Sequence, residues 1–291
     1  MIKLSIIILN YNSKDLTSEC IHTLLSTYKI QIQNGTFELI IVDNASSDAS
    51  LEAFKKIKST NKNIQLIQNK ENEGFTKGNN SGAEQAHGEY ILFLNSDTEV
   101  LDKSLENMVE YLDDNPDVAV LGGKLSGLHG EYQRSAGSFY DILRVTLFII
   151  GLERPKAKEK NLADPYPVDW VSGGCMMVRS EIFRKMKGFD ENLFMYVEDM
   201  EFCYRLKKAG YNVYYFPKTH ILHVGQGSSN RSFAIVHIYK GLLYFYKKHQ
   251  SYMAYLFVKN LLIIKALFAI GIGTITNNKY LTHTYKAALT W

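Results

Sequence analysis

Cysteine is scarce in this sequence, which has only three in 291 residues. Cys20, Cys175 and Cys203 are far apart and odd in number, so they form neither a zinc-binding spacing nor a disulfide framework. A reducing compartment fits such a chain. The features of a secretory signal are also missing, because the apolar run Ile6–Leu9 is too short and no small-residue cleavage site follows it. We therefore expect a cytoplasmic protein.

A strong charge excess, internal repeats and low-complexity tracts are missing as well. The formal net charge is +3, whereas a nucleic-acid-binding protein normally carries a concentrated basic face. We therefore expect no nucleic-acid partner. The hydrophobic share of 46% is enough for a sizeable core, and the length suits one large domain or one domain with an appendage.

Strand-like and helix-like patterns alternate in the first half of the chain. The buried-strand runs are Leu4–Leu9, Phe37–Val42, Ile64–Ile67, Tyr90–Leu94 and Val118–Leu121. Helical spacing is found between them, near residues 16–25, 51–57, 76–86 and 105–112. This order predicts an α/β fold with a mostly parallel sheet covered on both faces. The carboxyl ends of its strands would meet at one edge, where ligands bind.

The strand run Tyr90–Leu94 ends abruptly in Asn95, Ser96 and Asp97. A carboxylate at that edge suits a hard cation such as Mg²⁺, which takes few protein ligands and completes its shell with water and phosphate oxygens. The triplet therefore predicts a metal and diphosphate site.

Polar residues also follow the first two strand runs. Asn10–Asn12 follows the first run and Asp43 the second. At that position the Asp43 carboxylate can accept a hydrogen bond from a base N–H or a ribose hydroxyl. The alternative is that it caps the next helix.

A loop rich in glycine and asparagine, Asn72–Phe75 with Gly78–Asn80, precedes a helical pattern. Such a loop can expose backbone N–H groups to an anion, although it lacks the glycine spacing of a P-loop or a dinucleotide fingerprint. An ordinary turn is the alternative.

Further along, acidic residues are concentrated at one predicted helix start. Glu198 and Asp199 begin a helix and are followed by Glu201. Acids are favoured in a first helical turn, but two adjacent acids exceed that need. A general base must be an acceptor within hydrogen-bond reach of a hydroxyl, so one of these acids is a candidate for that role. Upstream, Gly173 and Gly174 beside Trp170 would let the backbone approach a flat ligand closely.

Two features of the second half of the chain could contribute to the ligand site. His223, before a glycine-rich stretch, can offer a neutral nitrogen to a cation. Arg154–Lys160 is interpreted as a solvated surface loop, with a cover over the ligand as the alternative.

In this order, the motifs resemble those of the family-two inverting glycosyltransferases, which have the nucleotide-sugar-binding GT-A fold. The likeness extends over roughly residues 3–229, and within the family it is greatest to bacterial rhamnosyltransferases that act on polyprenyl-diphosphate-linked glycans. The segments that carry it are Ser5–Asn12, Ile41–Asp48, Asn72–Phe75, Gly78–Asn80, Leu94–Asp97, Trp170–Gly174, Gly188–Glu191, Glu198, Asp199, Arg205 and His223.

The resemblance implies a dTDP- or UDP-linked sugar as donor and a glycan hydroxyl, on a lipid-linked chain, as acceptor. The best single guess is L-rhamnose from dTDP-rhamnose. Asp43 would contact the pyrimidine base, in a pocket lined by Asn10–Asn12. The residues that would contact the donor are Asn10, Tyr11, Asn12, Asp43, Asn72, Gly74, Asn79, Asn95, Ser96 and Asp97.

The resemblance also implies the catalytic groups. Asp97 would hold Mg²⁺ or Mn²⁺ with help from His223, and Asp199 would be the catalytic base for an inverting single displacement. Asn95 stands where the family has the first acid of its Asp-x-Asp motif, so one acid is missing here. The residues expected near the acceptor or donor sugar are Trp170, Gly173, Gly174 and Glu198.

The composition changes after Ser229. Two strongly apolar and aromatic stretches follow, Phe233–Tyr246 and Tyr252–Ile275. The second is long enough to span a membrane, but lysines at 259 and 265 would be costly near the centre of a span. Helices lying in the interface of the cytoplasmic membrane face are favoured. A helical pair packed on the protein itself and a true span are the alternatives.

These patterns predict a catalytic domain over residues 1–230 and a membrane-associated helical region over 231–291. Two other functions fit a nucleotide-binding α/β sheet. A nucleotidyltransferase would need a glycine-rich, basic N-terminal loop, and none is seen near Leu9–Asn12. A non-catalytic nucleotide-sugar-binding subunit would not need Asp97, Asp199 and His223.

Overall fold

A computed structural model describes residues 1–152, 164–225 and 230–290. The strands are β1 Leu4–Asn10, β2 Phe37–Asp43, β3 Ile64–Gln68, β4 Tyr90–Asn95, β5 Thr98–Val100, β6 Val118–Ser126, β7 Tyr132–Gln133, β8 Ala136–Gly137, β9 Tyr166–Pro167, β10 Trp170–Val171, β11 Cys175–Arg179 and β12 Asn212–His223. The helices are α1 Lys14–Thr27, α2 Lys29–Asn34, α3 Ser50–Lys58, α4 Gly74–Glu84, α5 Ser104–Asp114, α6 Ile142–Ile149, α7 Ser180–Lys185, α8 Glu198–Lys208, α9 Arg231–His249, α10 Tyr252–Ile275 and α11 Lys279–Ala288.

The central sheet is mixed, and its strand order is β3-β2-β1-β4-β11-β6-β12-β5. The first four strands are parallel, as the alternating pattern predicts. Antiparallel β11 then joins β4 to β6, so the sheet is not parallel throughout. β11 lies between β4 and β6, whereas β10, which precedes it in the chain, pairs with β8 in a separate two-stranded sheet.

Both faces of the sheet are covered, and alternation along β1 shows how. Ile6 and Ile8 point into one core with α1, α3 and α5. Ile7 points into the other, with residues of α4, α7 and α8. A strand with both faces buried needs this continuous apolar run.

The strand register places the polar strand ends side by side. Asn10 lies opposite Asp43 on one side of β1, and Leu9 lies opposite Asn95 on the other. The prediction that several polar strand ends converge on one edge is confirmed. Arg154–Lys160, interpreted above as a loop, lies outside the described residues.

The three C-terminal helices form a third core with α6 and α8. Val145, Met200, Tyr246, Val258 and Tyr285 are among its buried members. The region thus packs on the rest of the chain, as one of the sequence alternatives states. No helix is predicted from the sequence for the stretch that forms α6.

The outer surface of α10 remains apolar and exposed. Phe268 is 71% exposed and Ile275 87%, and a window of the helix has a mean hydropathy of 1.9 with only 22% of it buried. By length and composition this helix, alone among those described, is sufficient to cross a membrane. Self-packing therefore accounts for one side of α10 only.

Candidate functional site

A cavity of about 590 Å³ opens at the carboxyl ends of β1 and β4. That volume falls within the usual range for small-molecule sites. Seven of the residues proposed from the sequence lie on its wall. They are Tyr11, Asn72, Gly74, Asn95, Ser96, Asp97 and His223.

Asp97 and His223 meet on this wall although they are far apart in sequence. The last residue of β12 pairs with Thr98 at the start of β5, which brings the two side chains together. His223 Nε2 lies 3.3 Å from Asp97 Oδ1, and the backbone N–H of Val224 donates to the carbonyl oxygen of Asp97 at 2.9 Å. The pairing of β5 with β12 therefore builds the proposed metal pair.

The tautomer of His223 follows from Gln133, a residue that the sequence gives no reason to select. Gln133 Nε2 donates to the His223 carbonyl oxygen at 2.9 Å, so its Oε1 must face His223 Nδ1. Nδ1 then carries the proton in the neutral ring, and Nε2 presents a lone pair. Asn95 Nδ2 lies 3.1 Å from that nitrogen and can donate to it.

Asp97 is almost completely buried. Burial acts to raise its pKa, but a protonated His223 ring, which would supply both a hydrogen bond and a positive charge, outweighs burial with help from backbone N–H groups and lowers the pKa. Asp97 thus stays ionised, as a metal ligand must.

Asp43 and Asn10 do not reach the cavity wall. Asn10 Nδ2 donates to Asp43 Oδ1 at 2.9 Å, and the backbone N–H of Ser46 donates to Oδ2 at 3.2 Å. Asn12 likewise accepts from the Ser47 N–H at 2.7 Å. These side chains stabilise the loops around the strand ends through hydrogen bonds. The strand register makes the first of these bonds possible, because it places Asn10 directly beside Asp43.

Asn44, next along the chain, does line the cavity. Its side-chain nitrogen donates to Asn72 Oδ1 at 2.9 Å and to the Gly74 carbonyl at 3.1 Å. Its oxygen accepts from Asn69 and from the Glu73 N–H. All four hydrogen-bonding positions of the amide are therefore used to hold the loop before α4.

The helix α4 begins at Gly74, so Gly78 and Asn79 lie inside it and not in a loop. Asn79 is buried and donates to the Phe75 carbonyl at 2.9 Å. A Cβ on Gly78 would come within 2.5 Å of Leu9. Asn79 is therefore not on the cavity wall, and Gly78 allows α4 to pack closely on β1.

The acidic pair lies beside the cavity and not on its wall. Asp199 is half-buried and accepts from the backbone N–H of Met200 at 2.7 Å and of Gly173 at 3.3 Å. Glu198 is 5% exposed, and its Oε2 has no hydrogen-bond partner. Burial raises the pKa of both carboxyls, and the charge of Asp199 raises that of Glu198 further. Because only Asp199 accepts two backbone N–H bonds, we assign the first proton to Glu198.

The Trp170 segment connects the acids to the cavity. Gly173 lies against the ring of Phe75, which lines the cavity, and donates its N–H to Asp199. Gly174 accepts from the Asn95 backbone N–H at 3.1 Å. The Trp170 side chain is directed elsewhere, because its Nε1 donates to the Ser138 carbonyl at 3.0 Å.

Several wall residues have no separate sequence signal. They come from the segment before α8 and from the start of α9, and they are Phe194, Met195, Tyr196, Asn230 and Phe233. Only the position of these residues in the fold brings them to the cavity, so a search for polar strand ends does not detect them.

The comparisons with known proteins agree with this architecture. A family model described as glycosyl transferase family 2 matches residues 5–187, and a model described as N-terminal domain of galactosyltransferase matches residues 153–226. The first match covers more than half of the chain. The chain therefore belongs to glycosyl transferase family 2.

Similar curated proteins include two with rhamnosyltransferase names. The chain is 30% identical over 152 residues to rhamnosyltransferase WbbL of Escherichia coli strain K12, which covers 51% of this chain and 56% of that protein. It is 25% identical over 212 residues to N-acetylglucosaminyl-diphospho-decaprenol L-rhamnosyltransferase of Mycobacterium tuberculosis strain H37Rv, covering 66% and 68%. A third relative is the low-salt glycan biosynthesis hexosyltransferase Agl10 of Haloferax volcanii, 28% identical over 72% of this chain and 63% of that protein. The chain thus spans less than two thirds of the E. coli and H. volcanii proteins.

Two solved structures share the fold. GalNAc-T7, crystallised with UDP, GalNAc and Mn²⁺, has a TM-score of 0.63 at 16% identity, over 84% of this chain and 50% of that one. TarS of S. aureus has a TM-score of 0.53 at 18% identity, over 86% and 44%. The fold is of the GT-A type, with a helical C-terminus.

Proposed function

We propose that this chain is an inverting, metal-dependent hexosyltransferase that moves L-rhamnose from dTDP-rhamnose to a hydroxyl of a lipid-linked glycan in cell-surface polysaccharide synthesis. The observation that carries the transferase part is the cavity at the strand ends, where Asp97 and His223 meet and Asp199 lies nearby. The rhamnosyltransferase names of two relatives support the donor sugar. Another UDP- or dTDP-linked sugar is the alternative.

The residues present fit a divalent cation. With Nδ1 protonated, His223 Nε2 and Asp97 Oδ1 are both acceptors, yet they lie 3.3 Å apart. Such a pair needs a proton or a cation to be stable. No group of three or more His, Cys, Asp or Glu side chains suited to a metal occurs among the described residues. Two protein ligands, with phosphate and water for the rest, suit Mg²⁺ or Mn²⁺.

The proposed mechanism assigns each step to a residue of this chain. Asp199 takes the proton from the attacking acceptor hydroxyl, a role for which a raised pKa brings it closer to neutral pH. Asp97 and His223 would hold the cation beside the donor diphosphate. A bound cation would offset the charge that develops on the leaving diphosphate. Attack from the opposite side inverts the anomeric centre in one displacement, so no nucleophilic residue is needed.

The donor is tested by binding and by turnover. We expect dTDP- or UDP-sugars with Mg²⁺ or Mn²⁺ to raise the Tm of the protein more than GDP-sugars do, since ligand binding to the folded state stabilises it. Incubation with a nucleoside triphosphate and a sugar phosphate provides the control. Release of inorganic diphosphate in that control, without sugar transfer from any nucleotide sugar, would indicate a nucleotidyltransferase.

A peripheral position at the cytoplasmic membrane face is part of the proposal. The 90 residues from Phe202 onward contain twelve Lys and Arg and no Asp or Glu. The 201 residues before them contain 21 Lys and Arg and 30 Asp and Glu. Beside this charge, the outer side of α10 exposes Phe257, Ile264, Leu267 and Phe268. An apolar face within a basic region is typical of a helix that binds an anionic bilayer surface.

We expect the full chain to co-sediment with vesicles of phosphatidylglycerol and phosphatidylcholine, and less so at high salt or with phosphatidylcholine alone. The double substitution Leu267→Asp with Phe268→Asp should abolish binding. Ile30→Asp in α2 is the matched control, because Ile30 is 72% exposed. If the folded double variant binds vesicles as well as the control does, α10 is not the membrane contact.

A further inference from the structure

The two residues before the acidic pair have an unusual backbone. Tyr196 has a φ of 68° and Val197 a φ of 72°. For a β-branched residue this left-handed conformation is strained, and it persists only where the surroundings enforce it. Val197 is also the N-cap of α8, so its backbone sets the position of Glu198 and Asp199.

The helix α9 packs directly against this strained pair. A Cβ placed on Gly241 would lie 2.9 Å from Val197 Cγ2 and 3.1 Å from the Tyr196 carbonyl oxygen. Gly241 lies inside α9, where glycine is a poor helix former. The close approach of α9 to Val197 therefore explains why a glycine occupies this position.

The same helix contacts the segment on either side of Val197. Phe194 packs against His237 with ring centroids 5.1 Å apart. Further along α9, Lys248 Nζ and His249 Nε2 bond to the buried Glu201 carboxylate at 2.8 Å and 2.9 Å. Tyr244 donates to Asp190 at 2.7 Å. The helix α9 thus contacts the segment 190–201 at several points between His237 and His249.

We infer that α9 is a positioning element for Glu198 and Asp199, with Gly241 as the positioning residue that keeps Tyr196 and Val197 in their strained conformation. Within the C-terminal region, α9 then supports the position of the acids in addition to packing in the third core. Only the expected change in kcat rests on the proposed function, and the structural role of α9 does not.

The test is Gly241→Ala in the full chain. We expect kcat to fall on the order of 10-fold to 100-fold, since a small misplacement of a catalytic group has effects of that size, while the KM for the donor changes less. Hydrogen exchange in a peptide spanning residues 194–201 should become faster. The matched control is Gly271→Ala in α10, where a Cβ would meet no atom within 4 Å, and both readouts should stay as in the wild type.

A compensating substitution separates positioning from general damage. Val197→Gly removes the side-chain atoms that the added methyl group of Gly241→Ala would contact, and glycine accepts a positive φ. Gly241→Ala with Val197→Gly should therefore recover kcat relative to Gly241→Ala. Equal kcat and exchange in Gly241→Ala and Gly271→Ala would overturn the inference.

If Gly241→Ala does not fold, Lys248→Gln takes its place as the test, because Lys248 is partly exposed and bonds Glu201. Faster exchange over residues 194–201 with an unchanged Tm supports positioning, and unchanged exchange contradicts it. The exchange readout needs no activity. A wild-type chain that transfers no sugar would therefore refute the proposed function and leave this test intact.

Discussion

Asp199→Asn should lower kcat by on the order of 10²-fold or more while donor binding remains nearly intact. The amide cannot take a proton from the acceptor hydroxyl, and Asp199 is not one of the residues that line the cavity. The measurement is steady-state transfer, together with the Tm shift that the donor produces. Turnover equal to that of the wild type would remove Asp199 from the role of base.

Glu198→Gln is the matched control for this prediction. Glu198 Oε2 has no hydrogen-bond partner, so the amide costs the fold little, and it removes a like charge beside Asp199. A carboxyl with a raised pKa in the folded state binds its proton more tightly than in the unfolded chain, so it destabilises the fold as pH rises. We therefore expect Glu198→Gln to have an equal or higher Tm at neutral pH and to retain more activity than Asp199→Asn. The reverse order of activities would identify Glu198 as the base.

The strand ends could be predicted because their signal is local. An apolar run that stops at a polar residue needs no knowledge of distant residues, and this pattern found Asn95, Ser96 and Asp97. The direction of each side chain could not be predicted in the same way. Asp43 is turned away from the cavity by a hydrogen bond from Asn10, and that contact depends on the register between β1 and β2.

The parts of the site that could not be predicted depend on distant contacts. Gly74 begins α4 with a φ of 79°, and its neighbour Phe75 donates to the Phe194 carbonyl at 2.7 Å. Residues far apart in the chain thus determine where the helix starts and which way Asn79 points. In the same way, the role of Gln133 depends on β7 lying near the end of β12.

Asp97→Ala should lower kcat/KM for the donor and remove most of the response to Mg²⁺ or Mn²⁺. We expect a loss of at least about 10-fold to 100-fold, the range that even the outer partners of metal ligands produce. Binding of Mn²⁺ to the protein with dTDP, followed by the electron paramagnetic resonance signal of the free ion, measures the effect without turnover. Asp15→Ala is the control, since the Asp15 side chain is 91% exposed and lies on the surface of α1.

Asn95→Asp tests the same site in the opposite direction. It would supply a second carboxylate beside Asp97 and His223 in place of an amide that now lies 3.1 Å from His223 Nε2. Hard cations prefer carboxylate oxygens, so this variant should bind Mn²⁺ more tightly than the wild type, whereas Asp97→Ala binds it more weakly. If both variants bind Mn²⁺ like the wild type and the enzyme keeps full activity in excess chelator, the pair of Asp97 and His223 is not a metal site, and the two side chains share a proton instead.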